Sequence, residues 1–96
     1  MNGTMYHMWS PTCGPCQTLK PLFADLKEEF PQFTWVSVNT HDDPNNYARQ
    51  FGVQFVPTLV MVITNADGKI LMSEKKTGTN AADYYRLIRS GLKFIQ

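Results

Sequence analysis

The chain holds two cysteines, and only Gly14 and Pro15 lie between them: Cys13-Gly14-Pro15-Cys16. A pair so close can cycle between dithiol and disulfide, because closing a ring within one helical turn needs little chain entropy. The stretch before the pair, Met5 to Trp9, is a short apolar run with aromatic members and reads as a buried strand. After it, apolar residues fall at Cys16, Leu19, Phe23, Leu26 and Phe30, a 3-4-3-4 spacing that draws one stripe down a helix. Pro15 suits the first helical turn, where its missing N–H is no loss. Cys13 is thus expected at a strand-to-helix turn, beside a helix N-terminus. Unpaired N–H groups and the helix dipole place partial positive charge there, which favours thiolate over thiol. In such motifs the thiol pKa falls from about 8.5 toward about 7 or below. That makes Cys13 the attacking sulfur at neutral pH. Cys16, a turn further in and on the apolar stripe, is expected to be shielded and to attack a mixed disulfide formed at Cys13. C-x-x-C near a βαβ pattern points to redox chemistry.

Other chemistries fit these residues less well. A zinc site takes about four ligands, and only His7 and His41 could supplement the cysteines within one chain. An iron–sulfur cluster shared across a dimer would supply four thiolates. His7, in an apolar strand, reads most simply as a core residue with its ring N–H bonded to the backbone. Its sharper reading is a proton acceptor near Cys16. His41 lies in a polar loop and reads as surface. Trp9 reads as packing and as a lid beside the motif, and Trp35 as core or sheet surface. Asp42 and Asp43 suit a helix start better than a metal site. Lys20 lies one turn beyond Cys16; it reads most simply as part of a solvated face, and its sharper reading is a source of positive potential.

The elements that position the motif follow along the chain. At 96 residues, 43% apolar and 18% charged, the sequence fits one modest globular core. No apolar run approaches the roughly 18 residues of a membrane span. A net charge of +1, with no basic cluster beyond Lys75-Lys76, gives no case for nucleic acid. No basic start precedes an apolar leader, and both cysteines belong to the motif, so a reducing compartment is the simplest setting. The cysteine helix is expected from Gly14 to about Glu29, as one helix kinked at Pro21 and ended at Phe30-Pro31. Thr34 to Val38 reads as a strand interior to a parallel sheet. Asp43 is expected to cap a short helix with Pro44 as its first residue, running to about Phe51 and stopped by Gly52. Val53 to Pro57 leads into Thr58 to Ile63, the most strand-like run. Asn65 to Gly68 is a hairpin turn, and Lys69 to Lys76 its partner strand, a charged edge. Thr79 or Asn80 caps a last helix with Tyr84, Leu87, Ile88 and Leu92 or Ile95 inward, which Gly91 ends early. The order is β-α-β-α-β-β-α: a four-stranded mixed sheet with helices on both faces, an α/β fold in a single domain over residues 1–96.

Trp9 with Cys13-Gly14-Pro15-Cys16, then Pro21, Phe51-Gly52-Val53, Val56-Pro57-Thr58 and Gly78, resembles the ordered landmarks of the thioredoxin family. The match runs from about Met5 to Leu92. The resemblance implies a minimal thioredoxin-like fold, without the N-terminal strand and helix of full-length thioredoxins, whose loss uncovers a sheet edge. It implies a thiol–disulfide oxidoreductase, a protein-disulfide reductase of the cytoplasm. Cys13 would be its nucleophile, Cys16 the resolving thiol and His7 a proton acceptor. Trp9, Thr12, Gly14, Pro15, Val56, Pro57 and Gly78 would meet the substrate, with Pro57 cis and facing the cysteines. No cofactor is implied beyond the redox-active Cys13–Cys16 disulfide. The implied partners are disulfide-containing proteins and a thioredoxin-reductase-type electron donor, with no membrane or nucleic acid, for a chain mostly monomeric and weakly prone to dimerise. Four positions depart from the family pattern. The first is the start of the chain. Thr12 stands where Trp is usual, His7 where a buried acid is usual, and Ser37 where that acid's lysine is usual. The last two bear on how the second cysteine loses its proton. Glutaredoxins place Pro-Tyr between the cysteines, so glutathione is not the expected reductant. The competing reading is a thioredoxin-fold interaction module that works by binding a partner.

Overall fold

Alternation along two apolar strands decides the architecture. In Thr58–Thr64, Leu59, Met61 and Ile63 point to one side of the sheet and Val60 and Val62 to the other, and all are buried. In Asn2–Trp9, Met5 joins the first set and Met8 the second. Strands buried on both faces need cover on both faces. A computed structural model describes residues 1–95. Its elements are β1 (Asn2–Trp9), α1 (Gly14–Thr18), α2 (Lys20–Glu29), β2 (Thr34–Asn39), α3 (Tyr47–Gln50), β3 (Thr58–Thr64), β4 (Ile70–Thr77) and α4 (Ala81–Ile95). The sheet order is β2-β1-β3-β4. β1 pairs parallel with β2, and β3 pairs antiparallel with both β1 and β4. Phe23, Leu26, Tyr84, Leu87 and Ile88 from α2 and α4 pack with Met5, Leu59, Met61 and Ile63 on one face. Tyr47, Ala48 and Phe51, in and just after α3, cover Met8, Val38, Val60 and Val62 on the other.

The expected α/β order is present, with four corrections. β2 lies at a sheet edge rather than inside it. Its apolar residues are divided between two faces, Trp35 on one and Val36 with Val38 on the other, and only Val38 is fully buried. The cysteine helix divides at Leu19 into α1 and α2. Pro21 has no N–H for the Gln17 carbonyl, so the ladder skips that rung; Leu19 N–H still reaches Pro15 O at 3.0 Å, and Phe23 N–H reaches Leu19 O at 3.1 Å.

The third helix starts at Tyr47 rather than Pro44, because Asn46 sits in the left-handed region at φ 55°. Asp43 caps it all the same: its carboxylate accepts from Tyr47 N–H at 3.1 Å and Ala48 N–H at 2.9 Å. Gly52, at φ 66°, closes that helix as expected.

Gly91 does not end the last helix. It is buried in the middle of α4, where a Cβ would overlap the Met61 Sδ and crowd Phe33. Glycine is there for close packing, not for a stop.

Candidate active site

β1 ends at Trp9, and the chain turns through Ser10 to Thr12 before α1 begins. The Cys13 N–H closes that turn on the Ser10 carbonyl at 3.3 Å. Cys13 is the N-cap of α1, in extended conformation at φ −94° and ψ 108°. An N-cap side chain accepts from the first free helical N–H groups. Here the acceptor is sulfur: Cys16 N–H points at Cys13 Sγ from 3.1 Å. The two cysteines form a disulfide with Cα atoms 5.2 Å apart. They differ in access. Cys16 is 2% exposed, and Cys13 is half-buried at the surface.

Two sides of this disulfide carry different machinery. On the outer side, the Val56 carbonyl oxygen lies 3.7 Å from Cys13 Sγ. The bonded sulfur holds no proton, so this is a contact. The Val56–Pro57 peptide bond is cis. The Pro57 carbonyl accepts from Gly78 N–H at 3.1 Å. Gly78 has φ 122°, a conformation that side chains rarely adopt. The Tyr84 hydroxyl reaches the carbonyls of both Gly78 and Pro57 from α4. Burial, with the Asp83 charge adding, pushes the Tyr84 hydroxyl up to about 12, so it remains a donor at working pH. Thr58 fixes the same loop. Its hydroxyl donates to the Phe55 carbonyl at 2.7 Å, and Thr77 Oγ1 lies 2.6 Å from it. Since a carbonyl only accepts, Thr77 is the donor to Thr58.

On the inner side, a groove of about 280 Å³ lies between α1–α2 and β2. Cys16, His7, Trp9, Phe23, Trp35 and Ser37 line it. The Trp9 indole N–H donates to Ser37 Oγ at 2.7 Å and ties β1 to β2 across the sheet. His7 stacks on Phe23 with ring centroids 3.7 Å apart. Burial holds its pKa down at about 4. Its Nε2 is buried with no hydrogen-bond partner among the described residues, so the backbone bond expected of a core histidine is not made there.

The site residues read from the sequence therefore divide. Cys13, Val56, Pro57 and Gly78 meet on the outer side, next to exposed Thr12, Gly14 and Pro15. Cys16, His7 and Trp9 share the inner groove. His41 is exposed. Sequence reading missed three features. By its spacing Tyr84 is only an apolar helix residue, whereas its hydroxyl joins the Gly78 carbonyl to that of Pro57, 27 residues away. Thr58 reads, correctly, as strand, but nothing in the sequence shows that its hydroxyl holds the loop before it. Phe55 reads as lead-in to β3, yet it is 70% exposed and immediately precedes Val56. An aromatic residue in the short stretch before Val56-Pro57 was the available signal.

The thioredoxin family model matches residues 3–88 of this chain. The chain belongs to the thioredoxin family. A thioredoxin from Pyropia yezoensis is 35% identical over 54 residues, covering 55% of this chain and 50% of that protein. Thioredoxin M4, chloroplastic, from Arabidopsis thaliana is 33% identical over 58 residues, 59% of this chain and 30% of that one. The matched stretch thus spans half or less of these relatives' own length. In fold the likeness is broader. The structure of Fasciola hepatica thioredoxin superposes with a TM-score of 0.77 at 22% identity, covering 93% of this chain and 80% of that one. Mitochondrial thioredoxin 3 from Saccharomyces cerevisiae, in oxidised form, gives 0.76 at 22% identity over 93% of this chain and 78% of that one.

Proposed function

We propose that this chain is a thioredoxin-type protein-disulfide reductase. The observation that carries the reading is the asymmetry of the cysteine pair. One sulfur lies at the surface as a helix N-cap, with an N–H aimed at it from 3.1 Å, and the other is 2% exposed. In the dithiol form, Cys13 attacks a substrate disulfide as thiolate. A new S–S bond forms to Cys13, and the other substrate sulfur leaves as a thiolate. Cys16 loses its proton and attacks Cys13 Sγ. The second substrate sulfur is released, and Cys13–Cys16 closes as the disulfide described above. Two electrons have passed from the dithiol to the substrate, and the substrate thiolates take up two protons.

The outer side provides for binding. The exposed Thr12, Gly14 and Pro15 and the loop at Val56, Pro57 and Gly78 form the surface that a substrate chain meets. His7 assists Cys16 from the inner groove. It does so by accepting the Cys16 proton as that sulfur attacks; an imidazole whose pKa is about 4 is a weak base, so its help is small. His7→Ala should therefore slow resolution by about 10²-fold or less, the low end of acid–base help, and leave attack by Cys13 intact. An effect confined to stability supports a purely structural histidine.

No cofactor beyond the disulfide is needed by these steps. The partners we propose are disulfide-bearing proteins and a thioredoxin-reductase-type donor. One structural neighbour is a thioredoxin f2 in complex with ferredoxin:thioredoxin reductase, which supports a donor of this kind. Both cysteines lie in the motif, which suits a reducing compartment, and we place the chain in the cytoplasm. Cell fractionation tests that placement.

The decisive experiment is trapping. Cys16→Ser should attack a disulfide and accumulate a mixed disulfide at Cys13. Cys13→Ser should neither attack nor trap. Alkylation of the reduced chain near pH 7 should label Cys13 much faster than Cys16. If Cys16→Ser traps nothing, and wild type with dithiothreitol fails to reduce a generic protein disulfide, the reductase reading is wrong. Equal partner binding by wild type and both variants, with no adduct, is the signature of an interaction module.

A further inference from the structure

Among the described residues Phe55 is the most exposed large apolar side chain, at 70%. The others lie away from the motif: Met1 at the start of the chain, Ile70 and Leu71 at the start of β4, and Phe94 near the end of α4. Single exposed apolar residues are ordinary. The position of Phe55 is not. It immediately precedes Val56, whose carbonyl lies 3.7 Å from Cys13 Sγ. Consecutive Cα atoms are about 3.8 Å apart, so the Phe55 backbone lies within one residue of the reacting sulfur.

The loop that carries the ring is held from behind. The Phe55 carbonyl accepts from the Thr58 hydroxyl at 2.7 Å, and Thr77 donates to Thr58 in turn. Two residues on, the Pro57 carbonyl is held by Gly78 N–H at 3.1 Å. An aromatic ring on a fixed backbone offers apolar area at little further entropic cost. Thr12, Gly14 and Pro15, which flank Cys13 in sequence, and Val56 and Gly78 of the outer side are all neutral.

We infer that Phe55 is a specificity-determining residue: its exposed ring holds an apolar side chain next to the substrate cysteine that Cys13 attacks. The favoured substrate class is a protein or peptide disulfide with leucine, methionine or an aromatic residue one or two positions from the attacked cysteine. A residue of extended chain spans about 3.3–3.6 Å, so side chains at that separation reach the ring while the sulfur sits at Cys13. The inference rests on the reductase reading and names its substrate class. The chemical step is the attack already described. Phe55 touches the flank of the substrate and takes no part in bond exchange.

The test uses two peptide disulfides of equal length, one with leucine beside the cysteine and one with serine there. Their reduction is followed with wild type, Phe55→Ala and Phe55→Tyr. Wild type should prefer the leucine peptide. Phe55→Ala should lose that preference, with kcat/KM for the leucine peptide falling roughly tenfold through KM, the scale of one aromatic contact plus its buried area. The serine peptide should be affected less than twofold. Phe55→Tyr keeps the ring and should restore the preference. Thermal stability should be unchanged, because the side chain is exposed. If wild type reduces both peptides but Phe55→Ala leaves the preference intact, or weakens both peptides equally, this inference fails and the reductase reading stands. A wild type that reduces neither peptide overturns both.

Discussion

His7 carries the clearest consequence at the scale of a single residue. Its ring is stacked on Phe23, its Nε2 has no hydrogen-bond partner among the described residues, and burial lowers its pKa from 6.5 to about 4. The unfolded chain therefore binds a proton at His7 across that interval while the folded chain does not. Stability from this site is complete above pH 6.5 and is lost as pH falls toward 4. A shift of this size corresponds to roughly 3 kcal/mol at most. His7→Phe keeps an aromatic ring in the stack and removes the titration. Urea unfolding of both chains at pH 7 and pH 4 should show wild type losing more stability than the variant, by up to roughly that amount. Equal losses in the two chains would falsify the claim that His7 is held neutral by the fold. The residues proposed to do chemistry were legible because their signal is local. Cys13, Pro15, Cys16 and the stripe that follows specify a strand end, a turn and a helix within about twenty residues. Tyr84 and Phe55 were not legible in the same way. One reaches the Pro57 carbonyl, 27 residues away, which only the folded chain brings near, and the other matters only because Val56 comes to rest against a sulfur 43 residues earlier in the chain.

At the scale of elements, the same division between local and distant causes explains the corrections. Asp43 and Gly52 bracket α3 by local chemistry, and both were readable. The true start of the helix was hidden in the left-handed turn at Asn46, which many residue types could have avoided. Gly91 reverses its expected meaning. Glycine inside a helix costs about 1 kcal/mol relative to alanine and so reads as a stop. In α4 that cost is offset by contact: the helix backbone comes so close to β3 that a Cβ at residue 91 overlaps Met61 Sδ and lies 3.2 Å from Phe33 Cζ. Met61 is wholly buried and Phe33 nearly so, which leaves little room for either to yield. On an open helix surface, Gly→Ala should stabilise. Here Gly91→Ala is expected to destabilise by about 1–3 kcal/mol, the usual range for overpacking a core. Thermal unfolding of the oxidised protein reads the sign directly, and a raised melting temperature would show that α4 moves freely away from β3.

At the scale of the molecule, the two faces of the sheet are unequal. Among the described residues, eleven buried ones form the core under α2 and α4, against four on the face of α3, so the first face contributes most of the apolar burial. The two sheet edges are unequal too. β4 ends the sheet with exposed Glu74, Lys75 and Lys76, charges that discourage pairing with another chain. β2 ends it at the other side with Thr34, Trp35, Val36, Ser37, Val38 and Asn39, none of them charged. Its outer N–H and C=O groups have no neighbouring strand among the described residues. Two copies that meet at β2 could extend the sheet through backbone bonds, whereas copies that meet at β4 would have to crowd and partly desolvate the charged side chains of Glu74, Lys75 and Lys76. The 96-residue chain is therefore expected to be monomeric when dilute and to associate weakly as concentration rises, through β2. Thr34 is exposed, so Thr34→Lys places a charge on that edge without disturbing the core. Sedimentation velocity over a concentration series should show association weakened by Thr34→Lys and unchanged by Ser73→Lys, an exposed position on β4. A dimer that survives dilution, or association indifferent to Thr34→Lys, would mean that copies meet through some surface other than this edge.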